Sequence, residues 1–197
     1  MTLGEPGRIA ALVAGQLKRE NVPYAVVGSL ASSVHGVPRS TRDVDIVASL
    51  RKADINTFVE ALGEDFYIDP GMVREATENH SSFNIIHLAT MLKVDIFVVP
   101  PGGAAHQQLE HARDYVVDIE TGTHFSVASA EDTVVHKLQW YRRGGEVSEQ
   151  QWEDVIGILE VQSAQLDGKY LQKAAAQLGV EDLLRKAVEE ADVQQAK

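Results

Sequence analysis

The sequence predicts an α/β (α+β) fold: a mixed β-sheet flanked by helices over residues 1–128, followed by a C-terminal helical region over 129–197 packed on it as a bundle. Two observations predict this. Short β-rich runs alternate with amphipathic helical patterns as far as Val127, and from Ser129 onward every apolar pattern has the helical period. A third is size, since 197 residues with 44% hydrophobic content can bury a full core.

Taken in order, Ile9, Leu12, Val13 and Leu17 recur at helical spacing, so a helix is expected after Pro6-Gly7, ending near Asn21-Val22-Pro23. Residues 24–27 (Tyr-Ala-Val-Val) read as a strand running into Gly28-Ser29, and a short helical pattern continues through Val34. After Arg39-Ser40-Thr41-Arg42 the chain re-enters as an Asp-x-Asp strand at Asp43-Val44-Asp45-Ile46. Residues 53–62 form a second helix pattern, Gly63 breaks it, and residues 66–68 form a short strand. Pro70-Gly71 is expected to start a turn. Residues 83–88 and 92–99 read as strands joined by a hairpin, and Pro100-Pro101-Gly102-Gly103 ends the second. Residues 104–112 suggest a helix across the sheet, and 115–119 with 124–127 a hairpin around Glu120-Thr121-Gly122-Thr123. Four helices follow, over 131–141, 149–161, 170–178 and 181–191, with Ser129 and Ser148 placed to cap the first two.

The chemistry concentrates between Gly28 and Asp45. Residues two apart on a strand share a face, so Asp43 and Asp45 stand side by side and repel unless a cation lies between them. An all-oxygen donor pair suits a hard divalent ion, and magnesium takes one or two carboxylates with phosphate and water completing its shell. Gly28 lets backbone approach a ligand, and Ser29 offers a hydroxyl and an N–H at a helix N-terminus, where it can equally cap the helix. Asp95 interrupts the apolar run Val94, Ile96, Phe97, Val98, Val99, where a carboxylate needs a metal, a paired cation, or an exposed sheet face. Arg39 can clamp a phosphate, or pair with Asp43 or with a carboxylate of the bundle. Arg42 points to the opposite strand face. Arg39, Arg42, Arg51 and Lys52 together suggest a basic patch beside the Asp-x-Asp strand.

Gly28-Ser29, the following helix, Arg39-x-Thr41 and Asp43-x-Asp45 together resemble the signature of the nucleotidyltransferase superfamily related to DNA polymerase beta. Within it, the chain resembles bacterial minimal nucleotidyltransferases and AbiEii-type toxin–antitoxin proteins. The resemblance spans roughly residues 20–160. It implies that Asp95 is the third carboxylate, that Asp43, Asp45 and Asp95 are catalytic and hold Mg2+ or Mn2+, and that Gly28, Ser29, Arg39, Thr41 and Lys137 bind the nucleotide. Lys137 enters because Glu131 to Leu138 is similar to a Glu/Asp-x-x-x-x-Lys-Leu element of such proteins; Gln151 departs from an acid common in them. The implied reaction moves an NMP group from an NTP to an acceptor hydroxyl of a protein, an RNA end or a small molecule, with two metals about 3.5–4 Å apart. A helical partner protein, as in a toxin–antitoxin pair, is also implied. The other class in view is a binding module that holds nucleotide or a partner without turnover.

Other classes lose support. A net charge of -11 argues against broad nucleic-acid binding, and the absence of cysteine removes thiolate chemistry. No Gly-x-x-x-x-Gly-Lys-Ser/Thr loop, Gly-x-Gly-x-x-Gly fingerprint, Gly-x-Ser-x-Gly elbow or zinc-spaced histidines occur, His106 and His111 being five apart. His35, near the motif, reads as a helix-capping or packing residue, and Trp152 as a core or helix-packing one. No leader pattern and no membrane-length apolar run is visible, so a cytoplasmic protein with no membrane partner is expected.

Overall fold

The apolar positions Ile9, Val13 and Leu17 are buried along one face of α1 (Gly4–Arg19) in the computed structural model, which describes residues 4–102, 104–118 and 121–195. The expected strand end at Ile119, the turn residue Glu120 and Gly103 lie outside them. The helix starts earlier than its Pro6 suggested, because a proline in the first turn lacks only an N–H that would have no helical partner anyway.

Among the described residues the chain forms two compact units, 4–30 with 40–128, and 31–39 with 129–195. The first is built on a mixed sheet. Its strands are β1 (Tyr24–Val27), β2 (Asp43–Ala48), β3 (Phe66–Tyr67), β4 (Ser82–His87), β5 (Lys93–Val98), β6 (Arg113–Asp118) and β7 (Thr123–Val127). They lie in the order β3-β4-β5-β2-β1-β7-β6. β2 runs parallel to β5 and antiparallel to β1, while β1 runs parallel to β7. The β4–β5 and β6–β7 pairs are antiparallel neighbours in sequence, as the hairpin spacing predicts.

Alternation fixes which face of the sheet carries the core. Val44 and Ile46 of β2, Val94 and Ile96 of β5, and Phe83 and Ile85 of β4 are buried on one face. The alternate residues Asp43, Asp45, Lys93, Asp95, Asn84 and Ile86 are all at least partly exposed on the other. A slip of one residue in register would bury the acids, so the apolar set fixes where they stand.

One expected turn is a helix. Pro70-Gly71 opens not a turn but α4 (Pro70–Asn79). Asp69 caps it, accepting from the N–H groups of Gly71 and Met72 at 2.7 and 3.1 Å, and proline is well placed at the first helical position. The Asp-Pro pair is thus a helix-start signal rather than a turn signal. A 3-10 turn (Lys52–Asp54) followed by α3 (Ile55–Leu62), and α5 (Ala104–His111), complete the unit's helices among the described residues.

In the second unit α6 (Ala130–Arg143), α7 (Glu149–Gln162), α8 (Gly168–Leu178) and α9 (Glu181–Gln195) share a core of Val134, Leu138, Ile158, Leu171, Leu183 and their neighbours. Ser129 and Ser148 cap α6 and α7 by accepting from the N–H groups of Asp132 and Gln151. Residues 31–39 belong here too. Gly36 lies so close to the backbone of Gly157 and Ile158 that a Cβ would stand 2.9 Å from it, and Gln162 donates to the carbonyl of His35 at 2.8 Å. Among the described residues no helix is long and apolar enough to cross a membrane.

Candidate active site

The site begins where β1 ends. Gly28 opens α2 (Gly28–His35) with φ +61°, a left-handed conformation that glycine adopts without steric cost. The side chain of the central acid of β2 fills the space a Cβ would need there: a Cβ on Gly28 would lie 2.1 Å from Asp45 Oδ2. Glycine at this turn therefore permits both the bend and the seating of the Asp45 carboxylate against the backbone. Ser29, half-buried, follows in the first turn of α2.

Register carries the other acids to the same place. Asp45 is the cross-strand partner of Val27 on β1 and of Asp95 on β5, and Asp43 is the partner of Lys93. Asn84 on β4 pairs in turn with Asp95, and Ile86 with Lys93. Two rows result, Asp45–Asp95–Asn84 and Asp43–Lys93–Ile86, with neighbouring strands about 4.8 Å apart. Lys93 Nζ lies 2.7 Å from Asp95 Oδ2. That hydrogen bond, followed by the charges of Asp95, Asp43 and Asp45, outweighs partial burial and raises the pKa of the Lys93 ammonium above its ordinary value.

Thr41 supports this strand rather than projecting from it. Its hydroxyl donates to the carbonyl of Asp43 at 3.2 Å and accepts from the Asp43 N–H at 3.3 Å, a local turn that sets where β2 starts.

The basic patch expected around the Asp-x-Asp strand is not assembled. Arg51 and Lys52 follow the far end of β2, whose six residues span about 20 Å, and they pair with Asp54 and Glu78. Nearness in sequence became distance because the chain between them is extended.

In the second unit Arg39 and Lys137 meet at one carboxylate. Arg39 grips Asp154 with Nε and Nη2 at 2.7 and 2.8 Å, and Lys137 Nζ lies 2.8 Å from Asp154 Oδ2 and 3.1 Å from Gln151 Oε1. Of the partners open to Arg39, the structure provides a bundle carboxylate. The side chains of Lys137 and Asp154 are each only 5% exposed, so the pairing answers the cost of burying both charges. Burial pushes the Asp154 carboxyl up, but the Arg39 hydrogen bonds and the charge and hydrogen bond of Lys137 prevail and hold it below the ordinary range. Trp152 stacks at a tilt on Tyr141 and donates Nε1–H to Glu190, and His35 is buried, both packing roles as expected.

No family model matches the sequence, and no curated protein matches it. Solved structures do. An antigenic nucleotidyltransferase-like protein from Paracoccidioides brasiliensis aligns with a TM-score of 0.57 at 16% identity over 96% of this chain and 94% of that one. The antibiotic-resistance factor ANT(2'')-Ia aligns with a TM-score of 0.52 at 11% identity, over 96% and 97%. The lincomycin-bound lincosamide antibiotic adenylyltransferase LnuA aligns with a TM-score of 0.51 at 13% identity, over 82% and 99%. The chain has the nucleotidyltransferase-like fold.

On this fold the donor chemistry suits a divalent ion. Asp43, Asp45 and Asp95 offer only oxygen, share one open face, and have drawn an ammonium to one of their number. Among the described residues no group of three or more acidic or histidine side chains is placed to hold a metal ion by itself. Magnesium does not require one, because phosphate and water supply most of its shell. Two residues of this face were missed by sequence reasoning, Lys93 and Asn84. Lys93 carries a signal, since Lys93-x-Asp95 has the same period-two spacing as the acids; Asn84 has none until the β4–β5 register is known.

Proposed function

We propose that this chain is a metal-dependent nucleotidyltransferase, moving an NMP group from an NTP to an acceptor hydroxyl. The observation that carries this reading is the register that sets Asp45 between Gly28 and Asp95 with Asp43 on the same face. Asp43 and Asp45 would hold Mg2+ or Mn2+, with Asp95 beside them; the ion would supply charge neutralisation of the triphosphate and activation of the acceptor oxygen. Gly28 seats the Asp45 carboxylate against the backbone, and the N–H and hydroxyl of Ser29 at the start of α2 would bind the departing pyrophosphate. Thr41 positions Asp43. A nucleotide-binding role for Arg39 and Lys137 rests on the sequence resemblance alone. The acceptor oxygen forms the new bond to the α-phosphorus, the bond from α-phosphorus to the bridging oxygen of the β-phosphate breaks, and Asp95 takes the hydroxyl proton.

Two of the similar structures are named for antibiotics, one an adenylyltransferase with lincomycin bound, which supports a small hydroxylated molecule as acceptor ahead of a protein or RNA end. The toxin–antitoxin association and a helical partner protein rest on the sequence resemblance.

The test is incubation of the protein with each α-labelled NTP, magnesium or manganese and cell extract, comparing wild type with Asp43→Asn and Asp45→Asn. Label passing to one product with wild type alone supports transfer and gives the acceptor class. Metal-dependent nucleotide binding without transfer favours the binding module, and equal transfer by both variants refutes the assignment.

A further inference from the structure

Nucleotidyl transfer leaves Lys93 without a part, although it stands inside the carboxylate cluster. It shares the open face with Asp43, Asp45 and Asp95, is the register partner of Asp43, and its Nζ lies 2.7 Å from Asp95 Oδ2. Three carboxylates on adjacent positions of two paired strands repel one another, and an ammonium among them offsets that repulsion when no metal is bound. A divalent ion competes for the same oxygens. The Lys93 side chain is 47% exposed on a flexible four-carbon stem, so it can release Asp95 without disturbing the core.

We infer that Lys93 is the internal counter-cation of this site, a positioning residue that holds Asp95 in the metal-free protein and yields it only when metal arrives with nucleotide. The inference rests on the nucleotidyltransferase reading. Its consequence is coupling. Metal alone must displace a cation and then repel it at close range, so it binds weakly. Metal with a triphosphate brings negative charge toward which the released ammonium turns, so it binds well. The same device keeps Asp95 oriented across the strand from Asp45 before substrate arrives.

The experiment is a manganese titration followed by electron paramagnetic resonance, with and without the α,β-methylene analogue of ATP, on wild type, Lys93→Met, Lys93→Arg and Asp45→Asn. Lys93→Met is expected to bind manganese alone about tenfold more tightly than wild type, and to lose most of the further tightening that the analogue gives. Lys93→Arg, which keeps the charge, is expected to behave as wild type. If Lys93→Met does not reach the wild-type melting temperature, Lys93→Gln carries the same comparison. Manganese affinity in the neutral variant equal to or weaker than wild type overturns the inference, as does a tightening in Lys93→Arg as large as that in Lys93→Met. Asp45→Asn separates this failure from failure of the site. If it loses manganese in the presence of the analogue while the Lys93 variants match wild type, only the counter-cation role falls. If wild type does not bind manganese with the analogue, or Asp45→Asn binds it equally, the metal site falls and the role of Lys93 with it.

Discussion

Gly28→Ala is the sharpest perturbation of the site, because two separate penalties can be read from the structure. The first is conformational: φ at Gly28 is +61°, where an L side chain costs about 1–2 kcal/mol. The second is steric: the new Cβ would stand 2.1 Å from Asp45 Oδ2 and 2.9 Å from its Cγ. β2 cannot move away, since Asp45 is paired with Val27 on one side and Asp95 on the other. The carboxylate must therefore swing out of its rotamer, at about 1 kcal/mol more. The sum is a loss of about 2–3 kcal/mol in the sheet unit. Hydrogen exchange of the β1 and β2 amides measures it, and exchange through global opening should quicken about 30- to 150-fold. Gly122→Ala is the control: its φ is +66° but nothing lies within 4 Å of the added Cβ, so it carries the first penalty without the second. Manganese affinity with nucleotide should fall at least about tenfold in Gly28→Ala, with no change in Gly122→Ala. Wild-type exchange and wild-type manganese affinity in Gly28→Ala would refute the claim that this glycine exists to seat Asp45.

Four further outcomes test the remaining structure. Asp154→Asn leaves the Lys137 and Arg39 cations without their carboxylate and should destabilise the helical unit by about 3–5 kcal/mol, read by denaturation followed through Trp140 and Trp152 fluorescence. Because the folded Asp154 carboxyl titrates below its ordinary value, its contribution is complete above the unfolded pKa of about 3.9 and fades as pH falls through the lower folded value. Acid titration of wild type should therefore show a stability loss beginning near pH 4 that Asp154→Asn lacks. Gly36→Ala, whose Cβ would meet the backbone of Gly157 and Ile158 at 2.9 Å, should cost about 1–3 kcal/mol and raise the protease sensitivity of residues 31–39. Asp69→Ala, which removes the cap of α4, should cost about 1 kcal/mol, seen as faster exchange confined to the first turn of that helix.

The residues of the motif are legible in the sequence because their chemistry is local. Period two places Asp43 and Asp45 on one face whatever surrounds them, and glycine at a strand-to-helix junction permits the turn by its own stereochemistry. Binary patterning likewise reveals the strands and the helix-only region after Ser129, since each element must bury its own apolar face. Pro70-Gly71 misleads because proline serves turns and helix starts alike, and only the Asp69 cap tells them apart.

What the sequence by itself determined is which groups the protein can use: three strand carboxylates, a glycine and serine beside them, no thiol, and helices to follow. Tertiary structure alone decided their company. Strand register, set by the apolar face beneath, placed Asp95 against Asp45 and brought Lys93 and Asn84 into the same rows. Packing joined Arg39, Lys137 and Asp154, the last two separated in sequence from the first by about a hundred residues. It also left Arg51 and Lys52 at the far end of β2 with acids of their own. The physical reason is the range of the forces. Backbone stereochemistry and side-chain period act over a few residues and are written in the order of the chain, whereas a charge answers to whatever the fold sets within a few ångströms of it.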